Sequence, residues 1–261
     1  MRHVIWIAFV LGLITAPARA DDVACLANVA DNAGPYRIIK ASLKSDEVKI
    51  TFVGHSTFLI ESAGGVSIAT DYNDYVKPAL PPVIATMNRA HDTHFSRNPD
   101  PRIAHVLRGW SDSGAARHDL RVSDVRVRNV PTNIRGYDGT ERSANSIFVF
   151  EIAGLCIAHL GHLHHTLTGE HIKAMGQLDV VLMPVDGSFT LDLDGMVEVM
   201  NQLGAKLMIP MHYFGQTTLN RFLDRMGRQF DIKRQADNVL IVSRDTLPAR
   251  ATVLVLPGRS F

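Results

Sequence analysis

Cysteine is nearly absent from this 261-residue chain, which contains only Cys25 and Cys156. That excludes a disulfide-stapled miniprotein and a metal site built from clustered thiolates. The pair is open to two readings, a disulfide in an oxidising compartment or two separate buried thiols. Spacing in sequence does not fix the Cα separation that a bridge needs. Charge of one sign is also missing. Lys and Arg number 27 against 26 Asp and Glu, which leaves no basic excess for a nucleic-acid backbone. Repeats, low-complexity tracts and Pro/Gly/Ser linkers are lacking, so nothing splits the chain into modules. Beyond residue 20, no apolar run reaches the roughly 20 residues of a transmembrane helix.

The first twenty residues hold a basic lead, Met1-Arg2-His3, an apolar run over 4–13, and Ala18-Arg19-Ala20 followed by Asp21-Asp22. This pattern reads as a secretory signal peptide. It predicts cleavage after Ala20 and one domain over residues 21–261. It also predicts a periplasmic or secreted location with no stable membrane anchor. Cys25 does not follow the cleavage point directly, which argues against a lipid-anchored N-terminus. About 240 residues would remain, enough for one large core. Loss of Arg2 and Arg19 turns the formal net charge from +1 to −1.

Val48, Ile50 and Phe52 alternate with Lys49 and Thr51, the period of a half-buried strand. Strands over 58–60 and 66–69 follow, the second after the turn Ala63-Gly64-Gly65, and together they read as a β meander. Residues 83–86 form a further strand that runs into a polar loop over 88–96. Strands are also predicted over 125–130, 147–152 and 155–158. Val180-Val181-Leu182-Met183 is continuously apolar, as expected of a strand buried on both faces. Met196, Val197, Met200 and Leu203 recur at helical spacing, with Asp192 or Asp194 as N-cap and Gly204 as the stop. Residues 207–209 form the next buried strand, which makes a right-handed βαβ unit. A last helix around Phe222, Leu223 and Met226 precedes strands over 239–242 and 252–256.

Against this frame the histidines stand out. All but one of the twelve lie beyond residue 20, and three groups sit where strands end. His91 and His94 follow one strand, His159, His162, His164 and His165 another, and His212 a third. Loops at strand ends converge while the sheets stay rigid. Three or four neutral imidazoles that meet there make a site for zinc or a similar ion. His105, His118 and His171 read instead as surface or satisfied residues.

The order of these motifs resembles the metallo-β-lactamase superfamily, in the branch of metal-dependent hydrolases similar to ascorbate-phosphate lactonase. The resemblance runs from Val48 to the last strand. Gly54-His55-Ser56-Thr57 looks like the branch's opening hairpin, and Ile68-Ala69-Thr70-Asp71 like the next strand with its buried aspartate. Leu182-Met183-Pro184-Val185 and Met208-Ile209-Pro210-Met211-His212-Tyr213 resemble the later strands. The resemblance implies an α/β fold, an αββα sandwich of two mixed sheets with helices outside and metals at one end. It implies metal ligation by His212 and orienting roles for His55 and Asp71.

The departures are informative. The family loop His-x-His-x-Asp-His corresponds here to Arg89-Ala90-His91-Asp92-Thr93-His94. Its second and fourth histidines are kept; Arg89 replaces the first and Thr93 the aspartate. No histidine occupies the middle-ligand position near Pro131-Thr132-Asn133. The bridging aspartate is replaced in Gly161-His162. Two close divalent ions need bridging anions, so the expected cofactor is one divalent ion, zinc, held by His91, His94, His162 and His212 or by three of these plus water. His159, His164 and His165 are reserve ligands. Arg89 either clamps an anionic group by a bidentate pair or pairs with Asp92 or Asp71 in the space of an absent metal. The arginines at 117, 121, 126, 128, 135 and 142 read as a solvated strand face.

Two functions follow. One is an exported hydrolase of an ester, lactone or phosphoester that uses a metal-activated water, with Asp92 or His164 moving protons and a small, anionic substrate. The other is a non-catalytic protein on the same fold that binds metal or a small anion.

Overall fold

The computed structural model describes residues 43–258. The signal-peptide segment and Cys25 lie outside the described residues. The alternation at the start of the described chain builds β1 (Val48–Gly54), which pairs with β2 (Thr57–Ser62) and, through it, β3 (Ser67–Ala69). β4 (Ile84–Met87) and β5 (His105–Arg108) then add in parallel. The large sheet begins with β6 (Asp119–Val122), β7 (Val125–Gly136), β8 (Gly139–Ile152) and β9 (Leu155–His159), all antiparallel neighbours. After α1 (Gly169–Met175) come β10 (Val180–Pro184), α2 (Leu193–Leu203) and β11 (Leu207–Met211). Finally α3 (Gln216–Met226), β12 (Asp231–Arg234), β13 (Val239–Val242) and β14 (Thr252–Val255) complete the chain.

The result is two mixed sheets, ordered β13-β1-β2-β3-β4-β5 and β12-β14-β11-β10-β9-β8-β7-β6. The parallel pairing of β10 with β11 is the expected βαβ unit. Its helix is capped as the sequence suggests: Asp192 accepts from the Gly195 N–H, and Gly204 takes the left-handed conformation at the other end. Side-chain alternation sorts three cores. Ile50 and Phe52 meet Phe148, Phe150, Val180 and Leu182 between the sheets. Ile147, Val149, Val181 and Met183 point the other way, under helix residues Met175, Met196, Met200 and Phe222. Burial on both faces is why the β10 run is apolar without alternation.

The third cluster lies outside the small sheet, where Ala69, Ala85 and Met87 are covered by loop residues Tyr72, Phe95, Ile103 and Trp110. Among the described residues, helices therefore cover one outer face and loops the other. The expected solvated arginine face holds for Arg117, Arg121, Arg135 and Arg142, which are exposed, and needs correction at Arg126 and Arg128. Arg128 is buried; its guanidinium donates to Glu151 and to the Ala174 and Met175 carbonyls at the end of α1. Arg126 bridges Asp119 and Glu151, and Arg135 serves the site described next. Cys156 is disulfide-bonded and lies under the helix layer.

Candidate metal centre

The C-terminal ends of β3 and β4 in one sheet and of β9, β10 and β11 in the other meet with the β1–β2 turn. Each end delivers polar residues: Asp71 after β3, His91 and His94 after β4, His162 after β9, Asp186 after β10 and His212 after β11, with His55 on the turn. His55, Asp71 and His212 all hold positive φ, at 52°, 42° and 53°. Non-glycine residues adopt this conformation at a cost and cluster at functional sites. The corners at His55 and His212 are tied by the His212 N–H to His55 carbonyl bond at 2.7 Å.

The structure brings His91, His94, His162 and His212 together, with ligand nitrogens all within 4.8 Å of one another. The Nε2 atoms of His94 and His212 stand 3.1 Å apart, as do those of His91 and His162. Three of these rings have Nδ1 against an oxygen. His94 Nδ1 faces Asp71 Oδ2 at 2.5 Å, His212 Nδ1 faces Asp186 Oδ1 at 3.1 Å, and His91 Nδ1 faces Thr93 Oγ1 at 2.8 Å. An imidazole that gives its Nδ1 proton to an outer oxygen keeps its Nε2 lone pair for a cation. Burial holds the pKa of His94 well below the ordinary value, and burial with repulsion from His212 lowers His91. These rings are therefore neutral, the form that ligates. The donor set fits a metal ion.

His162 differs. His164 Nδ1 accepts from both the Arg135 backbone N–H at 2.9 Å and its Nε–H at 3.2 Å. Neutral His164 thus carries its proton on Nε2, which faces His162 Nδ1 at 2.5 Å. His162 in turn keeps its proton on Nε2, directed at His91.

The supporting residues are buried and bonded. Asn88 donates to Asp71 Oδ1 and accepts from the Ser146 N–H. Asn145 accepts the His162 N–H. Gly161, at φ 61°, lets the chain pass between these two amides; a Cβ there would collide with both. His55 faces the hydroxyl of Thr93 at 3.0 Å, so the threonine in place of the family aspartate links two histidines. Burial pushes Asp71 up. For Asp186, burial also acts upward, but hydrogen bonds from His212 and Thr190 outweigh it and hold this carboxyl low.

Other expected residues lie elsewhere. The Asp92 carboxylate is exposed, outside the four-histidine cluster, and accepts from the Tyr75 hydroxyl at 3.0 Å. Arg89 is exposed, and among the described residues its guanidinium pairs with neither Asp92 nor Asp71. The idea that it fills a metal's place is corrected by this geometry, because Asp71 is already taken by His94 and Asn88. His159 is no reserve ligand: its ring spans the Ser56 carbonyl and the Gly161 N–H. His165 is engaged with the Asn133 N–H and the Thr166 carbonyl. His118 donates to the Arg108 carbonyl, and His171 closes the α1 capping box. Sequence reasoning missed Asp186. Its signal was its place at the end of β10, beside the histidines that end β9 and β11.

Residues 49–212 match the family model described as a beta-lactamase superfamily domain. A UPF0173 metal-dependent hydrolase of Thermoplasma volcanium is 32% identical over 188 residues, covering 64% of this chain and 84% of that protein. A similar protein of Thermoplasma acidophilum is 32% identical over 95 residues, covering 36% of this chain and 42% of that one. Among solved structures, one from Thermotoga maritima superposes with a TM-score of 0.59 at 29% identity. It covers 81% of this chain and all of that one, and its description places it with Zn-dependent hydrolases.

Proposed function

This chain belongs to the metallo-β-lactamase superfamily as a metal-dependent hydrolase, and from that premise we propose that it cleaves a small ester, lactone or phosphoester with one zinc ion. The observation that carries the proposal is the convergence of His91 and His94 from one sheet with His162 and His212 from the other. A bound divalent ion supplies an acidified water and a Lewis acid. The protein's own groups do the rest. His91, His94 and His212 offer Nε2 lone pairs, with Thr93, Asp71 and Asp186 fixing their tautomers. His162 presents an N–H to the same space, where a leaving group or developing oxyanion can accept a hydrogen bond from it. His164 fixes that orientation by donating its Nε2–H to His162 Nδ1 at 2.5 Å. Asp92, at the solvent edge with Tyr75, exchanges protons with water. Arg89, exposed on the loop of His91, meets an anionic part of the substrate.

Location outside the cytoplasm belongs to the same proposal, supported by the leader sequence and the disulfide at Cys156. Mass spectrometry of protein recovered from the periplasm or medium tests it: Asp21 is the expected N-terminus, and retention of Met1 would defeat export. The catalytic reading is tested by metal analysis and by turnover of esters, lactones and phosphodiesters, with His212→Ala as control. Metal and turnover should disappear together. Metal without turnover on any class would leave a binding protein on a hydrolase fold.

A further inference from the structure

Two large aromatic side chains stand open beside the centre. Phe214 follows His212 by two residues, and its ring lies 5.4 Å from that of His212 and 5.9 Å from that of His55. Phe189 packs against Phe214 edge to face at 5.6 Å. Both remain about 60% exposed, at 61% and 60%. Aromatic rings of this size normally bury most of their surface. Here the open pair lies directly against the buried rings of His212 and His55, so whatever covers it sits beside the centre.

The wall is held open. Asp186 accepts from the Ser188 N–H at 2.9 Å and the Phe189 N–H at 2.5 Å, and the same carboxylate faces His212 Nδ1. On the other side, the Arg135 guanidinium donates to the Ser188 and Thr190 carbonyls at 3.0 and 2.7 Å. The loop bearing Phe189 is thus fixed in register with a metal ligand. A surface ordered in advance binds without the entropic cost of loop closure.

We propose that Phe189 and Phe214 bind an apolar substituent of the substrate, so that the centre favours esters or lactones carrying an aryl group or a longer alkyl chain. This rests on the hydrolase reading and adds the substrate class. A second copy of the chain could also cover such a patch, but it would close the centre; that occupant becomes an outcome of the test.

Zinc-loaded wild type, Phe189→Ala, Phe214→Ala and Phe214→Leu are compared on methyl acetate, methyl hexanoate and methyl phenylacetate. Binding of phenylacetate and acetate to each protein is measured in parallel by NMR. Wild type should favour the phenylacetyl over the acetyl ester by about tenfold or more in kcat/KM. Either alanine variant should lose most of that preference and weaken phenylacetate binding, with metal content unchanged; Phe214→Leu should restore part of it. Equal preference in wild type and variants would overturn the inference. So would a wild-type dimer that the alanine variants dissolve with preference intact. If wild type turns over no ester, the binding arm decides alone. Phenylacetate binding lost in the variants would then uphold the wall while the hydrolase reading fails; no difference in binding would overturn the wall.

Discussion

His164 presents its Nε2 proton to His162 Nδ1 at 2.5 Å, because Arg135 occupies the opposite nitrogen of His164 from two directions. A ring whose Nδ1 accepts a proton cannot offer a bare Nε2 while neutral. His162 is therefore the weakest of the four as a ligand. His212→Ala should lower zinc affinity far more than His162→Ala does, with a gap of about tenfold or greater. His164→Ala should raise affinity, since it frees His162 to turn its lone pair inward. Competition with a zinc chelator measures all three, and equal losses for His162→Ala and His212→Ala would show four equivalent ligands.

Arg89 is exposed and clear of Asp71 and Asp92. Arg89→Ala should leave zinc content unchanged and lower kcat/KM about tenfold for substrates carrying a phosphate or carboxylate, through KM. Neutral esters should be unaffected. A loss of metal in this variant would place the side chain in the ligand set instead.

Gly161→Ala should act on both fold and centre. The position requires a left-handed backbone, and the methyl group would strike the amides of Asn88 and Asn145. Strain of about 1–3 kcal/mol is expected from the backbone alone. Since Asn145 holds the His162 N–H and Asn88 holds Asp71, zinc affinity should drop along with Tm. A variant with unchanged Tm would mean that the loop relaxes freely.

Acid should destabilise the protein from near pH 6.5 downward. Burial, with repulsion from His212 and His91, lowers His55 to about 3; burial, then Arg135, lowers His164 to about 4. Below 6.5 the unfolded chain takes up protons on these rings and the folded chain does not, so stability falls as pH falls through that window. Asp71, raised by burial, works in the opposite direction, but one carboxyl stands against two imidazoles. A bound cation acts in the same sense as the histidines. Thermal melts at pH 7.5 and 5 should show a lower Tm in acid, and the reverse order would refute this account.

Much of the frame was legible in the sequence because burial writes periodicity. The alternation of β1, the two-faced run of β10 and the capped α2 each lie where the pattern puts them. β5, β6 and β12 escaped because four-residue strands with charged residues among them are too short to carry a clear period. α1 escaped because seven residues with a single buried side chain give no stripe. β7 and β8 run on to Gly136 and from Gly139 through polar stretches that only their mutual pairing makes extended. At the centre, residue types and strand-end positions singled out seven histidines, and the family resemblance narrowed them to the four that the structure brings together. Neither was enough to reveal what each nitrogen faces. Thr93 looked like a lost aspartate and proves to bridge two rings; Asp186 drew no reading at all and backs His212. Hydrogen-bond partners depend on three-dimensional register, which no one-dimensional pattern encodes.

The division of the ligands between the sheets has a mechanical consequence. His91 and His94 ride on the small sheet, His162 and His212 on the large one. An ion held by His91 and His94 from one sheet and His212 from the other would be a latch across the sandwich, because it can be gripped only when the two halves are docked. Any excursion that parts the sheets must release it, so free zinc at a hundred times its dissociation constant would oppose that opening by about 2.7 kcal/mol. The ion would then govern how often the interior between the sheets meets water, apart from any chemistry it performs at the surface.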